Sequence, residues 1–278
     1  MEVVQGKYAG FCSGIKRAWR QVKIAAQECP GSTFVLGELL HNNQALEELK
    51  NWGVKTINNL EQIRNKRGIV LIRAHGEPPQ TFQKLAKMKK IKVIDATCPN
   101  VSLVQKLARQ LEDRGYQVIV CGEKNHPEAR ATIGCTKKGI IISSPEEAEK
   151  LVKGKRIGVL SQTTFSSSVF KNICQILKKK TKQFRSLGTI CNFTKLAQKE
   201  AREIAKEVDL VIVIGGKQSE NTKRLVEVAG EIVPTYRIET QADIKERWLK
   251  NVKMVGLLAG ASTPSWVINE VRKKLEEY

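Results

Sequence analysis

A chain of 278 residues with 48 Lys and Arg against 28 Asp and Glu carries a charge of 48 − 28 = +20 at neutral pH, and it is long enough to bury sizeable cores. No apolar run nears the ~20 residues of a membrane helix, and the opening MEVVQGKYAGF lacks the basic and apolar parts of a secretory leader, so a cytoplasmic protein is expected. Seven cysteines in such a reducing compartment argue against a disulfide framework, the lack of a C-x-x-C pair argues against a zinc ribbon or a thioredoxin-like motif, and sparse aromatics without a binding signature argue against nucleic acid as a partner.

Short β-branched runs alternate with amphipathic helices from end to end. A helix is read over CSGIKRAWRQVKIAAQE (12–28), a strand over FVLG (34–37), and a helix over NNQALEELKNWG (42–53) that Asn51-Trp52-Gly53 stops. GIVLIRA (68–74) and IKVIDA (91–96) are strands, and NVSLVQKLARQLEDRG (100–115) is a helix ended by Arg114-Gly115. YQVIVCG (116–122), GIIIS (139–143), RIGVLSQ (156–162), DLVIVIGG (209–216) and KMVGLLAG (253–260) are strands again. The last helix, PSWVINEVRKKLEEY (264–278), is expected to fold back and clasp the assembly. The basic groups MKK, LKKKTKQ and RKK are assigned to solvated faces along helices. Such alternation indicates parallel sheets covered by helices, an α/β fold.

The pattern repeats three times. Cys12, Cys98 and Cys191 are spaced by 98 − 12 = 86 and 191 − 98 = 93, and each closes a strand-like stretch and opens a helix. Downstream, an apolar strand ends at Gly37, Gly122 and Gly215, and four residues later stands His41, His126 or Ser219. A third station follows another strand, at His75, Thr163 and Ser262. Three coincidences in register establish an internal repeat, with domains expected over 1–97, 98–187 and 188–278 that bring the three thiols to one axis.

A thiol at a helix N-terminus meets free N–H groups and the positive end of the dipole, which favour the metal-binding thiolate. Three thiolates without a fourth in register suit an iron–sulfur cluster with one open iron, or a three-thiolate zinc site completed by water or His. Cys29, Cys121, Cys135 and Cys174 share no station and read as packing residues. The only three histidines all stand at repeat stations, with Thr163, Ser219, Asn221 and Ser262 beside them. Such side chains at strand exits make an anion cradle, which with the charge points to a phosphorylated ligand. Glu128, two residues after His126, is an acidic group that such surroundings could keep protonated or set to carry protons to a reaction.

GFCSGIKRA, LGELLHN, RAHGEPP, VIDATCPNV, GEKNHPEA, LSQTT, TIC, GGKQSENT and AGASTP, in this order, resemble the 4-hydroxy-3-methylbut-2-enyl diphosphate reductases, the LytB/IspH family, across nearly the whole chain. The resemblance implies a trefoil of three pseudo-symmetric α/β domains around one 4Fe–4S cluster. Cys12, Cys98 and Cys191 would be its ligands, and the substrate oxygen would sit at the open fourth iron. It implies reductive dehydroxylation of an allylic diphosphate to isopentenyl and dimethylallyl diphosphates, the last step of the non-mevalonate route. By motif, His41, His75, His126, Ser219, Asn221 and Ser262 match residues around the diphosphate. Glu128 matches the proton relay, with His126 beside it, and Thr163 matches a threonine near the substrate hydroxyl. An acidic ferredoxin or flavodoxin is expected as electron donor, steered by the positive charge. Ala131, Ala197 and Glu220 depart from the family's usual residues.

Overall fold

Val- and Ile-rich runs form the centres of three four-stranded parallel sheets in the computed structural model of the chain, which describes residues 1–151 and 154–278. The first part contains β1 (Glu2–Gln5), α1 (Ser13–Glu28), β2 (Thr33–Leu36), α2 (Asn43–Asn51), β3 (Lys55–Ile57), β4 (Gly68–Ile72), α3 (Pro79–Ala86), β5 (Ile91–Asp95) and α4 (Pro99–Asp113). Then come β6 (Gln117–Cys121), α5 (Pro127–Ile133), β7 (Ile140–Ile142), α6 (Pro145–Lys150), β8 (Gly154–Ser161), α7 (Ser167–Lys179), β9 (Thr181–Ser186) and α8 (Asn192–Ala205). The last part contains β10 (Leu210–Ile214), α9 (Glu220–Gly230), β11 (Thr235–Ile238), α10 (Glu246–Leu249), β12 (Met254–Ala259) and α11 (Ser265–Glu276).

The sheets have one topology. Their orders are β3-β2-β4-β5, β7-β6-β8-β9 and β11-β10-β12-β1. In the first two the edge strand that precedes a repeated cysteine, β5 or β9, is fourth in sequence. In the third that place belongs to β1, whose Val3 pairs with Val255 from the far end of the chain. The repeated cysteine is thus the exit of one sheet's edge strand and the entry to the next helix.

The chain forms two compact units. One comprises Met1–Trp19, Glu38–Gly53 and Asn192–Tyr278 and contains the sheet with β1. The other comprises Arg20–Gly37 and Val54–Cys191 and contains the other two sheets. Every residue of β4 and of β10 is buried, as expected of strands covered on both faces. α4 buries Val101, Val104, Ala108 and Leu111, the i, i+3, i+7 spacing of an amphipathic helix. It stops where Gly115 takes φ +77, a conformation that costs glycine least.

Of the basic groups assigned to helices, one lies outside any helix and another only begins in one. α3 ends at Ala86, so Met88–Lys90 lies in the turn before β5, and LKKKTKQ runs from the end of α7 into β9. β9 is a polar edge strand, TKQFRS, with no fully buried residue, and so lacks the apolar signature of a central strand. Lysines on an edge also discourage pairing with another chain. RKK does lie on α11.

Candidate functional site

In the two-sheet unit, two repeated cysteines stand close together. Cys98 is the N-cap of α4, and its N–H donates to the Ala74 carbonyl at 3.0 Å, tying it to the turn that carries His75. The Cys191 N–H donates to the Thr163 carbonyl at 2.9 Å, and exposed Asn100 donates from Nδ2 to Cys191 Sγ at 3.1 Å. Burial pushes the Cys98 thiol above its ordinary range, against the pull of the Asn100 and Val101 N–H groups and with a further push from Cys191 and Glu128. At Cys98 burial thus outweighs the helix start that was expected to favour thiolate; a bound cation would restore that preference by displacing the proton. Burial also pushes the thiols of Cys121, Cys135 and Cys174 up, Cys121 furthest, inside β6.

Beside these thiols lies a buried acid. His126 caps α5, its Nδ1 accepting the Glu128 N–H at 3.2 Å, and this turn carries the Glu128 side chain inward to 3% exposure. Thr163 grips the carboxylate twice: its N–H donates to Oε1 at 2.6 Å and its hydroxyl to Oε2 at 2.7 Å. Burial pushes the Glu128 carboxyl up to about 7, with the two Thr163 bonds opposing the rise. A carboxyl so tuned exchanges a proton near neutrality. His75 and His126 meet edge to face with ring centroids 5.2 Å apart. Gln162, buried beside Thr163, accepts the Glu123 N–H and donates to the Thr164 hydroxyl, which orders the same turn.

In the other unit the N–H of Cys12 donates to the Ala261 carbonyl at 3.2 Å, next to Ser262. Each repeated cysteine is therefore tied to a turn at the third station of the repeat. Ser219 caps α9, its Oγ accepting from Thr222. Asn221 is 5% exposed, and neither atom of its amide has a partner among the described residues. Gly216 lies so close to the His41 carbonyl that a Cβ there would come within 2.3 Å of it, and Ser262 Oγ donates to that carbonyl at 3.4 Å. Within this unit the His41 carbonyl and Ser262 thus meet in one polar surface, and the start of α9 carries an amide whose hydrogen-bonding groups are unsatisfied among the described residues. Glu220 is directed along α9 toward Arg224, 4.0 Å away, which also pairs with Glu227. Ala131 and Ala197 are buried packing residues of α5 and α8.

Cys98 and Cys191, half-buried thiols capping or preceding a helix within one unit, have the donor chemistry of an iron–sulfur site, and Cys12, at the equivalent station of the repeat, is likewise half-buried in the other unit. Asn100, Gln162 and Thr222 were not singled out in the sequence. Asn100 stands two residues after a repeated cysteine and Gln162 beside a station residue, but only contact distances reveal their roles.

The sequence matches the family model described as LytB protein over residues 3–276. It is 40% identical over 283 residues to the 4-hydroxy-3-methylbut-2-enyl diphosphate reductase of Aquifex aeolicus, covering 100% of this chain and 96% of that protein. It is 41% identical over 280 residues to the enzyme so named in Geobacter sulfurreducens, covering 100% and 98%. Among solved structures, an (E)-4-hydroxy-3-methyl-but-2-enyl diphosphate reductase, the terminal enzyme of the non-mevalonate pathway, aligns with a TM-score of 0.75 at 40% identity, covering 100% of this chain and 99% of that one. The E-1-hydroxy-2-methyl-but-2-enyl-4-diphosphate reductase of Plasmodium falciparum aligns with a TM-score of 0.91 at 30% identity, covering 99% and 87%. With the three-fold α/β repeat and a match running almost from end to end, the chain belongs to the LytB protein family.

Proposed function

We propose that this protein reduces (E)-4-hydroxy-3-methylbut-2-enyl diphosphate to isopentenyl and dimethylallyl diphosphates. The allylic C–O bond breaks and a C–H bond forms: two electrons and one proton go to the carbon skeleton, and a second proton converts the leaving hydroxyl to water. The observation that carries the reading is the buried Glu128 carboxyl, gripped by Thr163 in the same unit as Cys98 and Cys191, in a chain whose full-length relatives bear this enzyme's name.

Cys12, Cys98 and Cys191 would hold the cluster. A 4Fe–4S cluster with one open iron supplies, when bound, the electrons and a Lewis-acid position. The chain's own residues do the rest. His41, His75, His126, Ser219, Asn221 and Ser262 grip the diphosphate through charge-assisted hydrogen bonds. The Asn221 amide, unsatisfied among the described residues, supports that role. Thr163 orients the Glu128 carboxyl and faces the substrate hydroxyl, while Glu128 delivers protons to the leaving oxygen and to the carbon skeleton. Burial excludes water from the carboxyl and keeps its proton available near pH 7.

Electrons arrive from a small acidic redox protein such as a ferredoxin or flavodoxin, for which the +20 charge is the complement. No helix among the described residues is long and apolar enough to cross a membrane, and the free thiols suit the cytoplasm. Anaerobic incubation with the allylic diphosphate and a reduced viologen tests the function. Formation of the two C5 diphosphates is expected, and cluster-loaded protein that leaves the substrate intact refutes it.

A further inference from the structure

From the hydrogen bonds at the start of α9, we infer that Thr222 is a positioning residue that forces the Ser219 hydroxyl to donate outward to the bound diphosphate. The inference rests on the reading of Ser219 as a diphosphate ligand. A serine hydroxyl has one hydrogen and two acceptor sites. Here Ser219 Oγ accepts twice from one residue: from the Thr222 hydroxyl at 2.9 Å and from the Thr222 N–H at 3.3 Å. With both acceptor sites filled, the only function left to the hydroxyl is donation, which an anionic oxygen requires. An ordinary N-cap serine uses one acceptor site on the helix and keeps a rotor free to accept or donate elsewhere.

The surroundings lock Thr222 in this role. Its side chain is 0% exposed and wedged between two strand-exit turns. A Cβ on Gly215, after β10, would come within 2.3 Å of Thr222 Oγ1, and one on Gly260, after β12, within 2.1 Å. Both glycines are therefore required for the threonine to sit there. The β-branched side chain adds rotamer stiffness. Ser219 is 5% exposed, and its neighbour Asn221 keeps two buried polar atoms without partners among the described residues. The start of α9 thus presents a pre-oriented hydroxyl beside an unsatisfied amide. Preorganisation of this kind strengthens binding by removing the cost of orienting the donor on ligand arrival.

The test measures binding of inorganic pyrophosphate to cluster-loaded protein by calorimetry, so that it does not depend on turnover. Thr222→Val keeps the shape but removes the hydroxyl, and is expected to weaken pyrophosphate roughly tenfold, with the cluster spectrum unchanged. Thr222→Ser restores the donor and is expected within about twofold of wild type. In a Ser219→Ala background the Thr222→Val change should add almost nothing, because its effect passes through the serine. Thr222→Ala carries the same comparison if the valine variant does not fold. Unchanged affinity in the hydroxyl-free variants overturns the inference, and so does an equal loss with and without Ser219, which would mean general packing. Wild-type protein that ignores pyrophosphate overturns the reading of the anion site itself, and the inference with it.

Discussion

Glu128→Gln isolates proton delivery from every other role of that position. The side chain is 3% exposed, and its two oxygens accept from the Thr163 N–H and hydroxyl at 2.6 and 2.7 Å. Glutamine preserves both contacts: its carbonyl accepts the N–H, and its amide donates to the threonine oxygen once that hydroxyl rotates. Shape, burial and hydrogen bonding survive, and only the exchangeable carboxyl proton is lost. With the carboxyl at about 7, a large fraction of the wild-type enzyme holds that proton at neutral pH. A positioned general acid contributes typically ~10²–10⁴-fold, about 3–5 kcal/mol of barrier. The variant should lose that much turnover while keeping its cluster spectrum and its substrate affinity. The assay is anaerobic product formation with a reduced viologen, alongside calorimetric binding of the allylic diphosphate. Folded, cluster-loaded Glu128→Gln protein turning over within roughly threefold of wild type would show that the proton arrives by another route.

Changing Cys12, Cys98 or Cys191 singly to Ser should abolish iron binding and activity together, while Cys29→Ser or Cys174→Ser retains both; full iron content in Cys191→Ser rules out its ligand role. His41→Ala and His126→Ala should each weaken the diphosphate by about ten- to a hundredfold with an intact cluster spectrum, and unchanged affinity in both refutes the cradle. Rates driven by an acidic protein donor should fall as salt rises toward ~0.5 M, whereas those with a neutral chemical reductant should not; equal sensitivity removes the steering role of the +20 charge. The Glu128 carboxyl also sets a stability slope in the apoprotein. The fold holds its proton up to about pH 7, while the unfolded chain releases it above 4.5. Stability should therefore fall as pH rises between these values, by about 3 kcal/mol in all. Urea midpoints at pH 5 and pH 8 should show that drop in wild type but a much smaller one in Glu128→Gln, and an equal drop in both assigns it elsewhere.

The three-fold repeat was legible because each unit uses the same short-range devices. A β-branched strand ends at a glycine or a small polar turn, and a helix begins beside it. The positions of Cys12, Cys98 and Cys191 before helices follow from the same local chemistry, as do the turns holding His75, Thr163 and Ser262. Local pattern also identified Gly115 as a stop, since a positive φ after a helix is a property of a few residues.

Tertiary structure decided what depends on partners distant in sequence. The segment EVVQ looks like any short strand, and only the pairing of Val3 with Val255 makes it the edge of the last sheet. β9 carries too few buried residues to announce itself, and it exists because β8 offers its backbone groups. The sequence placed Cys98 at a helix start and so predicted an easily ionised thiol. Burial, which no local window contains, reverses the sign. The same holds for Glu128, an ordinary first-turn glutamate in sequence whose tuning comes from Thr163, 35 residues away, and from the exclusion of water. Sequence thus determined which groups stand at the strand exits, because propensity and periodicity act over a few residues. Desolvation and hydrogen-bond satisfaction depend on every element packed around a group, so only the fold could set their charge states and their orientation.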